Sequence, residues 1–231
     1  MNLLICLITY NRLAYTQRTL DNLKKTIDIP HYLVVVDNDS SDGTREWLEK
    51  NGPQDSLILN PINFYPGKAT NIGWELGIAQ YSPTHLMRLD NDMNFSPGWA
   101  TKAAEYFEAI PPLGQLGLDF TALDTFNGNQ DYLTEMGGKT VNMWPGNVGG
   151  VCIVPRKLYD SGLRWNEGFW SHDGGPKPTA QEDVKFSFAV HKLGFIYGHA
   201  TEKLAWTFAD ESNRHEYPEY YQKTLKERGY V

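Results

Sequence analysis

The most constraining feature of the chain is an alternation that fills its first ninety residues. Continuous apolar runs alternate with helix-patterned segments, and nearly every run ends in polar residues. Leu3 to Ile8 is apolar at every position, as in a strand buried on both faces of a parallel sheet. After Thr9-Tyr10-Asn11, the residues Leu13, Thr16, Leu20, Leu23 and Ile27 recur every three to four positions and predict the inner stripe of a helix. Tyr32 to Val36 is a second strand. It stops at Asp37-Asn38-Asp39-Ser40-Ser41-Asp42-Gly43, where Ser41 or Asp42 can cap a short helix carrying Trp47 and Leu48. Leu57 to Leu59 predicts a third strand. Ala69, Ile72, Leu76 and Ala79 predict the buried face of a third helix, and His85 to Leu89 a fourth strand ending at Asp90-Asn91-Asp92. This βαβαβαβ order predicts an α/β, Rossmann-like, mostly parallel central sheet flanked by helices.

Such sheets bind ligands at the carboxyl ends of their strands. Three of the four strand ends carry polar clusters, at Thr9 to Asn11, Asp37 to Asp42, and Asp90 to Asp92; Asn63 and Gly67-Lys68 follow the third strand. One cluster would be an ordinary turn, whereas three on one edge predict a site. The later chain is less regular. Pro111-Pro112 and several glycines interrupt it, Val148 to Val154 predicts a strand, and Gln181 to Leu193 predicts a well-buried helix. A short helix is expected after Pro218. Residues 1–231 read as one domain, with a ligand-binding half at 1–92, a second half at 93–209 and a tail at 210–231.

Charge and length narrow the function. The 231 residues hold 21 Lys and Arg against 28 Asp and Glu, a net charge of −7. Non-specific nucleic-acid binding needs clustered cations and is disfavoured, although net charge does not report a local patch. No run approaches the ~20 apolar residues of a membrane span. The opening apolar stretch lacks the basic residues of a signal peptide. Cys6 and Cys152, both in apolar runs, are expected as buried free thiols of a reducing compartment. A cytoplasmic place follows as the expectation, with peripheral membrane association an option.

Asp90-Asn91-Asp92 sets two carboxylates two residues apart just past a buried strand. Oxygen ligands so placed suit a hard divalent cation, Mn²⁺ or Mg²⁺, and such ions bridge phosphates. An isolated Asp-Xaa-Asp is a weak signal, since a solvated turn has the same sequence. Its setting in an ordered series is more specific. Ile8-Thr9-Tyr10-Asn11-Arg12, Val35 to Thr44, Asn63 to Gly73, Leu89 to Asp92, Gly149-Gly150, Gly168-Phe169-Trp170, Gln181-Glu182-Asp183-Val184 and Gly194-Phe195 follow one another along the chain. In this order they resemble the family-2 glycosyltransferases of GT-A fold, over residues 3 to about 206.

The resemblance implies an inverting, metal-dependent transfer of one sugar from a nucleotide-diphosphate donor to an acceptor hydroxyl. It implies that Thr9, Tyr10 and Asp37 hold base and ribose, with Asn38 and Asp39 adjoining. It implies that Asn63, Lys68 and Asn71 line the same cleft, that Asp90 approaches ribose or metal, and that Asp92 ligates the metal. Asp183 is implied as the general base and Glu182 as its acceptor-side neighbour, although two acids at a helix start would also be favoured by the helix dipole alone. Gly149 and Gly150 would let backbone pass close to a sugar. Trp144, Trp165, Trp170 and Trp206 are candidates for stacking on sugar faces, Trp170 foremost, and Ser171 to Ala180 is either an acceptor loop or a surface insertion. The acceptor class stays open among a glycan, a lipid-linked glycan, a protein, a small molecule and a modified nucleic-acid base.

Two departures stand out. Tyr65 occupies a position where relatives often have glycine. Leu204-Ala205-Trp206-Thr207 stands where many carry a metal-binding histidine, with His199 and His215 near but off register and His172 a further option. Two competing functions are a sugar nucleotidyltransferase, which would show a glycine-rich basic loop in place of Thr9-Tyr10-Asn11-Arg12, and a non-catalytic sugar-binding module, which would not need both acidic pairs.

Overall fold

The computed structural model describes residues 1–120, 132–143, 148, 150–167 and 182–209, together with 218, 219, 222 and 226. Strands β1 (Leu3–Thr9), β2 (His31–Asp37), β3 (Ser56–Leu59) and β4 (His85–Asp90) form a parallel block in the order β3-β2-β1-β4, joined by α1 (Leu13–Thr26), α2 (Thr44–Asn51) and α3 (Tyr65–Gln80). The α/β reading and the parallel sheet are therefore borne out. Beyond β4 come β5 (Met93–Phe95), α4 (Trp99–Ala109), β6 (Leu113–Gly117), β7 (Leu133–Met136), β8 (Lys139–Asn142), β9 (Val151–Pro155), α5 (Arg156–Asp160), α6 (Glu182–Lys192), β10 (Ile196–Ala200) and β11 (Ala205–Thr207). The main sheet continues as β4-β9-β6-β10-β8-β7, while β5 and β11 form a separate two-stranded ribbon. Strand β9 runs antiparallel to both β4 and β6. It begins at Val151, three residues later than its apolar run suggested.

Each strand of the parallel block feeds two cores. Leu3, Ile5 and Leu7 pack with Leu20, Leu48, Trp99 and Tyr106 on the α1, α2 and α4 side. Leu4, Cys6 and Ile8 pack with Trp74, Leu158, Phe186 and Val190 on the α3, α5 and α6 side. Alternate side chains of a strand point to opposite faces, so a strand covered on both sides must be apolar throughout. Cys6 and Cys152 are buried and free, as expected.

The inner face of α3 differs from its apolar pattern. Ala69 is buried as expected and half-buried Leu76 packs on the same core, but Ala79 is exposed and Ile72 half-buried, while Thr70, Asn71, Gly73, Trp74 and Gly77 are also buried. Two glycines explain the rotation, because they bring the helix backbone onto β1. A side-chain carbon at Gly77 would come within 2.5 Å of Leu4, and one at Gly73 would overlap Cys6 Sγ. Gly73→Ala is therefore expected to cost about 1–3 kcal/mol through overpacking. A urea titration would read this as a lower midpoint at constant slope; an unchanged midpoint would mean the sheet yields at Cys6. In α1, Thr16, Leu20 and Leu23 of the expected stripe are buried, joined by Tyr15 and Thr19, while Leu13 is only half-buried and Ile27 packs on the core from one residue past the helix end.

Candidate active site

Parallel pairing aligns the carboxyl ends of β2, β1 and β4. Thr9 sits opposite Asp37, and the preceding Ile8 sits opposite Asp90. Four non-glycine residues lie in the left-handed region: Asn11 and Arg12 after β1, Asp39 after β2, and Tyr65 at the start of α3 after β3, at φ 55°, 61°, 66° and 63°. That conformation is costly for side-chain-bearing residues and is kept where surrounding contacts impose it, often at functional sites. Tyr65 thus holds the backbone shape glycine would adopt, so the departure in sequence leaves the loop geometry glycine-like.

The loops after β1 and β2 are tied together. Asn11 N–H donates to Ser40 Oγ at 2.7 Å, and Ser41 N–H donates to Asn11 Oδ1 at 2.8 Å. Asp42, rather than Ser41, does the capping, and it serves two helices. Its Oδ2 accepts from Leu13 N–H at the start of α1, and its Oδ1 from Thr44 N–H and Oγ1 at the start of α2.

Asp37 is fully buried. Its Oδ2 accepts from Ser40 N–H at 3.0 Å and lies 3.6 Å from Arg45. Burial pushes its carboxyl above the usual range, against the pull of Ser40 and Arg45. Among the described residues its Oδ1 is buried without a hydrogen-bond partner, and such an atom calls for one. Asn38 is also buried, its Oδ1 accepting from Asn60 Nδ2, whereas Asp39 is exposed and bonds Arg45. The Thr9 hydroxyl is engaged with Thr16 and Asn91, and Tyr10 is half-buried beside it in the chain.

The other expected cleft residues divide. Asn63 caps α3 by accepting Tyr65 N–H at 2.8 Å, and Lys68 lies over the Phe64 ring at 4.4 Å. Asn71 points into the fold: its amide bonds the Trp165 N–H, the Trp165 carbonyl and Glu167 Oε1, each at 3.0 Å. Trp165 itself is core, stacked on Phe186 with ring centroids 3.8 Å apart. Trp206 is half-buried in β11 under Lys203. Gly149, Trp144, Trp170, His172, His215 and the 171–180 stretch lie outside the described residues. His199 pairs across β10 with Gly117 of β6, which pairs with Cys152 of β9, which pairs with Arg88 of β4. Three strand spacings, about 14 Å, thus separate it from the end of β4.

The two acidic pairs meet through a residue the sequence reading passed over. Arg88, two residues before the end of β4, has a side chain only 3% exposed. Its Nη1 donates to Glu182 Oε1 at 3.1 Å, its Nε lies 3.4 Å from Asp90 Oδ1, and its guanidinium stacks over Trp165 at 4.6 Å. Burial alone would lower its pKa, but the charges of Asp90, Glu182 and Asp183 raise it above the usual value. An arginine interrupting the apolar run ahead of Asp90 was the available signal.

Asp183 and Glu182 are each 6% exposed at the start of α6. The helix is fixed beneath them, where Ser187 Oγ donates to Gln115 Oε1 of β6 at 2.8 Å. Asp183 is pushed up to about 6, by burial first and Glu182 second, with Arg88 opposing. Asp90 keeps about a third of its side-chain surface open, at 35% exposure. Burial, Asp92 and Glu182 raise it to about 6 against the pull of Arg88. Gly150 lies close beside it, where a side-chain carbon would stand 2.9 Å from Asp90 Oδ2 and oblige the carboxylate to shift.

The sequence profile of Glycosyl transferase family 2 matches residues 4–163, the span holding all four parallel strands and Asp90 to Asp92. The chain belongs to glycosyltransferase family 2. No curated protein sequence matches it. Solved structures share its fold. A Pyrobaculum calidifontis mannosyltransferase, solved with GDP-Man and Mn²⁺, superposes with a TM-score of 0.68 at 17% identity, covering 94% of this chain and 59% of that one. S. aureus TarS 1-349, solved with UDP-GlcNAc, gives 0.62 at 18% identity, covering 90% and 58%. GalNAc-T7, solved with UDP, GalNAc and Mn²⁺, gives 0.61 at 11% identity, covering 87% and 42%. These are GT-A folds, so the family and fold implied by the ordered motifs hold. The chain spans less than two thirds of each. None of its described helices is long and apolar enough to cross a membrane.

Proposed function

We propose that this family-2 protein transfers one sugar from a nucleotide-diphosphate donor to an acceptor hydroxyl, by metal-assisted single displacement with inversion. One observation carries the reading. Carboxylates 92 residues apart in sequence, Asp90 and Glu182, converge on buried Arg88 at the carboxyl edge of a family-2 sheet, with the charge of Asp183 acting on the same arginine. A sugar-binding module has no use for that convergence, whereas displacement needs one group for the leaving phosphate and another for the incoming hydroxyl.

Asp37 offers its unpartnered Oδ1 to the nucleoside, with Tyr10, Asn38 and Asp39 around it. Asn63, Lys68 and Asn71 shape the neighbouring wall, Asn71 by holding Trp165 rather than by contact. Asp90 and Asp92 are oxygen donors at one strand end. Among the described residues no group of three His, Cys, Asp or Glu forms a cage, and a hard cation on one or two carboxylates takes its other ligands from phosphate and water. The donor set therefore fits Mn²⁺ or Mg²⁺, which when bound stabilises charge on the departing diphosphate. Asp183 accepts the acceptor's hydroxyl proton. That oxygen bonds the anomeric carbon as the carbon–phosphate oxygen bond breaks, and the diphosphate leaves with the electron pair. Glu182 and Gly150, with Gly149 and Trp170 of the sequence motifs, are assigned to the acceptor side.

The deciding experiment incubates the protein with UDP-, GDP- and dTDP-sugars, with and without Mn²⁺, beside Asp92→Asn. Metal-dependent donor binding or hydrolysis by the parent, lost in Asp92→Asn, is the expected result. No binding or hydrolysis of any donor would overturn the reading in favour of a sugar-binding module.

A further inference from the structure

Asp92 already has a cationic partner within the chain. Arg12 Nη1 lies 3.0 Å from Asp92 Oδ2, and its Nη2 donates to Asn91 Oδ1. This is not a loose surface pair, since the two side chains are 8% and 19% exposed. Both ends are also pinned. Asn91 Nδ2 donates to Thr9 Oγ1, Thr16 Oγ1 and the Asn11 carbonyl at 3.1, 3.0 and 3.2 Å. The Asp92 carbonyl accepts from Phe208 N–H at 3.1 Å and from Thr207 Oγ1 at 3.3 Å. Arg12 sits in the left-handed turn tied to the Ser40–Ser41 loop, and its guanidinium lies 5.4 Å from the Tyr15 ring.

Resting on the function proposed above, we infer that Arg12 is a positioning residue that competes with the divalent cation for Asp92, so that the cation is held together with the donor diphosphate and poorly without it. A guanidinium keeps its charge at any physiological pH. In a partly buried site it repels a second cation brought to the same carboxylate. A diphosphate carries enough negative charge for Arg12 and the cation at once, and relieves that conflict. Arg12 thereby withholds the cation until a donor is present. The same fork keeps Asp92 and Asn91 oriented in the meantime.

The test reads metal binding rather than transfer. Mn²⁺ is titrated into the full chain and followed by the loss of its free electron-paramagnetic-resonance signal, alone and with saturating UDP or GDP. The parent is expected to bind Mn²⁺ about tenfold more weakly alone than with the diphosphate it accepts. Arg12→Gln, checked for folding by circular dichroism, should tighten binding of Mn²⁺ alone about tenfold and shrink the effect of the diphosphate. Arg12→Lys, which keeps the charge, should stay near the parent. Unchanged or weaker Mn²⁺ binding in folded Arg12→Gln overturns the role of Arg12 and leaves the proposed transfer standing. Equal Mn²⁺ affinity of the parent with and without diphosphate also overturns it, whatever the variants do. Absence of Mn²⁺ binding in every condition overturns it together with the metal-assisted reading.

Discussion

Asp183→Asn is expected to remove sugar transfer while leaving donor binding and the fold intact. The substitution is isosteric at a side chain 6% exposed. The amide oxygen can keep the 2.7 Å bond from Val184 N–H that orients the carboxylate. Lost is the ability to take a proton, and a positioned general base contributes roughly 10²–10⁴-fold in rate. Calorimetry with the nucleotide should give the parent's affinity, while product formation by mass spectrometry falls by that factor. Retained transfer would place the base elsewhere. The sign of the pH dependence follows from the raised carboxyl. With Asp183 at about 6, the working deprotonated form fills above that value and empties below it. The rate should therefore hold at neutral pH and fall toward tenfold per unit on the acid side, a limb that Asp183→Asn should reduce to the part contributed by Asp90, which is also raised to about 6.

Arg88→Met should destabilise the protein by about 3–5 kcal/mol, because it strands acidic partners in a buried site. Glu182 is buried and loses its 3.1 Å partner, and Asp90 loses the one cation beside it on β4. Methionine fills comparable space and can still touch Trp165, so the loss reports charge more than volume. Adding Glu182→Leu to Arg88→Met should recover part of it, since replacing a buried pair by apolar residues is far milder than breaking it. Urea unfolding of the parent, single and double variants closes the cycle. A single variant within about 1 kcal/mol of the parent would show that water or rearrangement compensates the acids.

The parallel block could be read from the chain because each of its strands is apolar on both faces and its ends are marked by Thr9, Asp37 and Asp90. The same reasoning located Asp183 only through the order of motifs, since two acids at a helix start are ordinary on their own. The face of α3 was partly misread because its contact is also made by Gly73 and Gly77, which carry no apolar signal, while the more apolar Ile72 lies to the side. Strands such as Leu-Gly-Gln-Leu-Gly at 113–117 are short and rich in glycine, and their pairing depends on distant partners. Arg88 escaped for a related reason: its partner Glu182 is 94 positions away, a distance no local pattern spans. Tyr65 shows the opposite case, in which a residue looked wrong for its loop and the backbone took the glycine shape regardless.

Asp42 gives the cleft a mechanical property. One carboxylate starts both α1 and α2, and the Asn11–Ser40 and Ser41–Asn11 bonds add two further stitches between the same loops. The turn that contains Arg12 and the turn that follows Asp37 are therefore a single jaw built from two strands. On the proposed function, a nucleoside held at Asp37 would carry the Arg12 turn, and with it the contact to Asp92, along with its own loop.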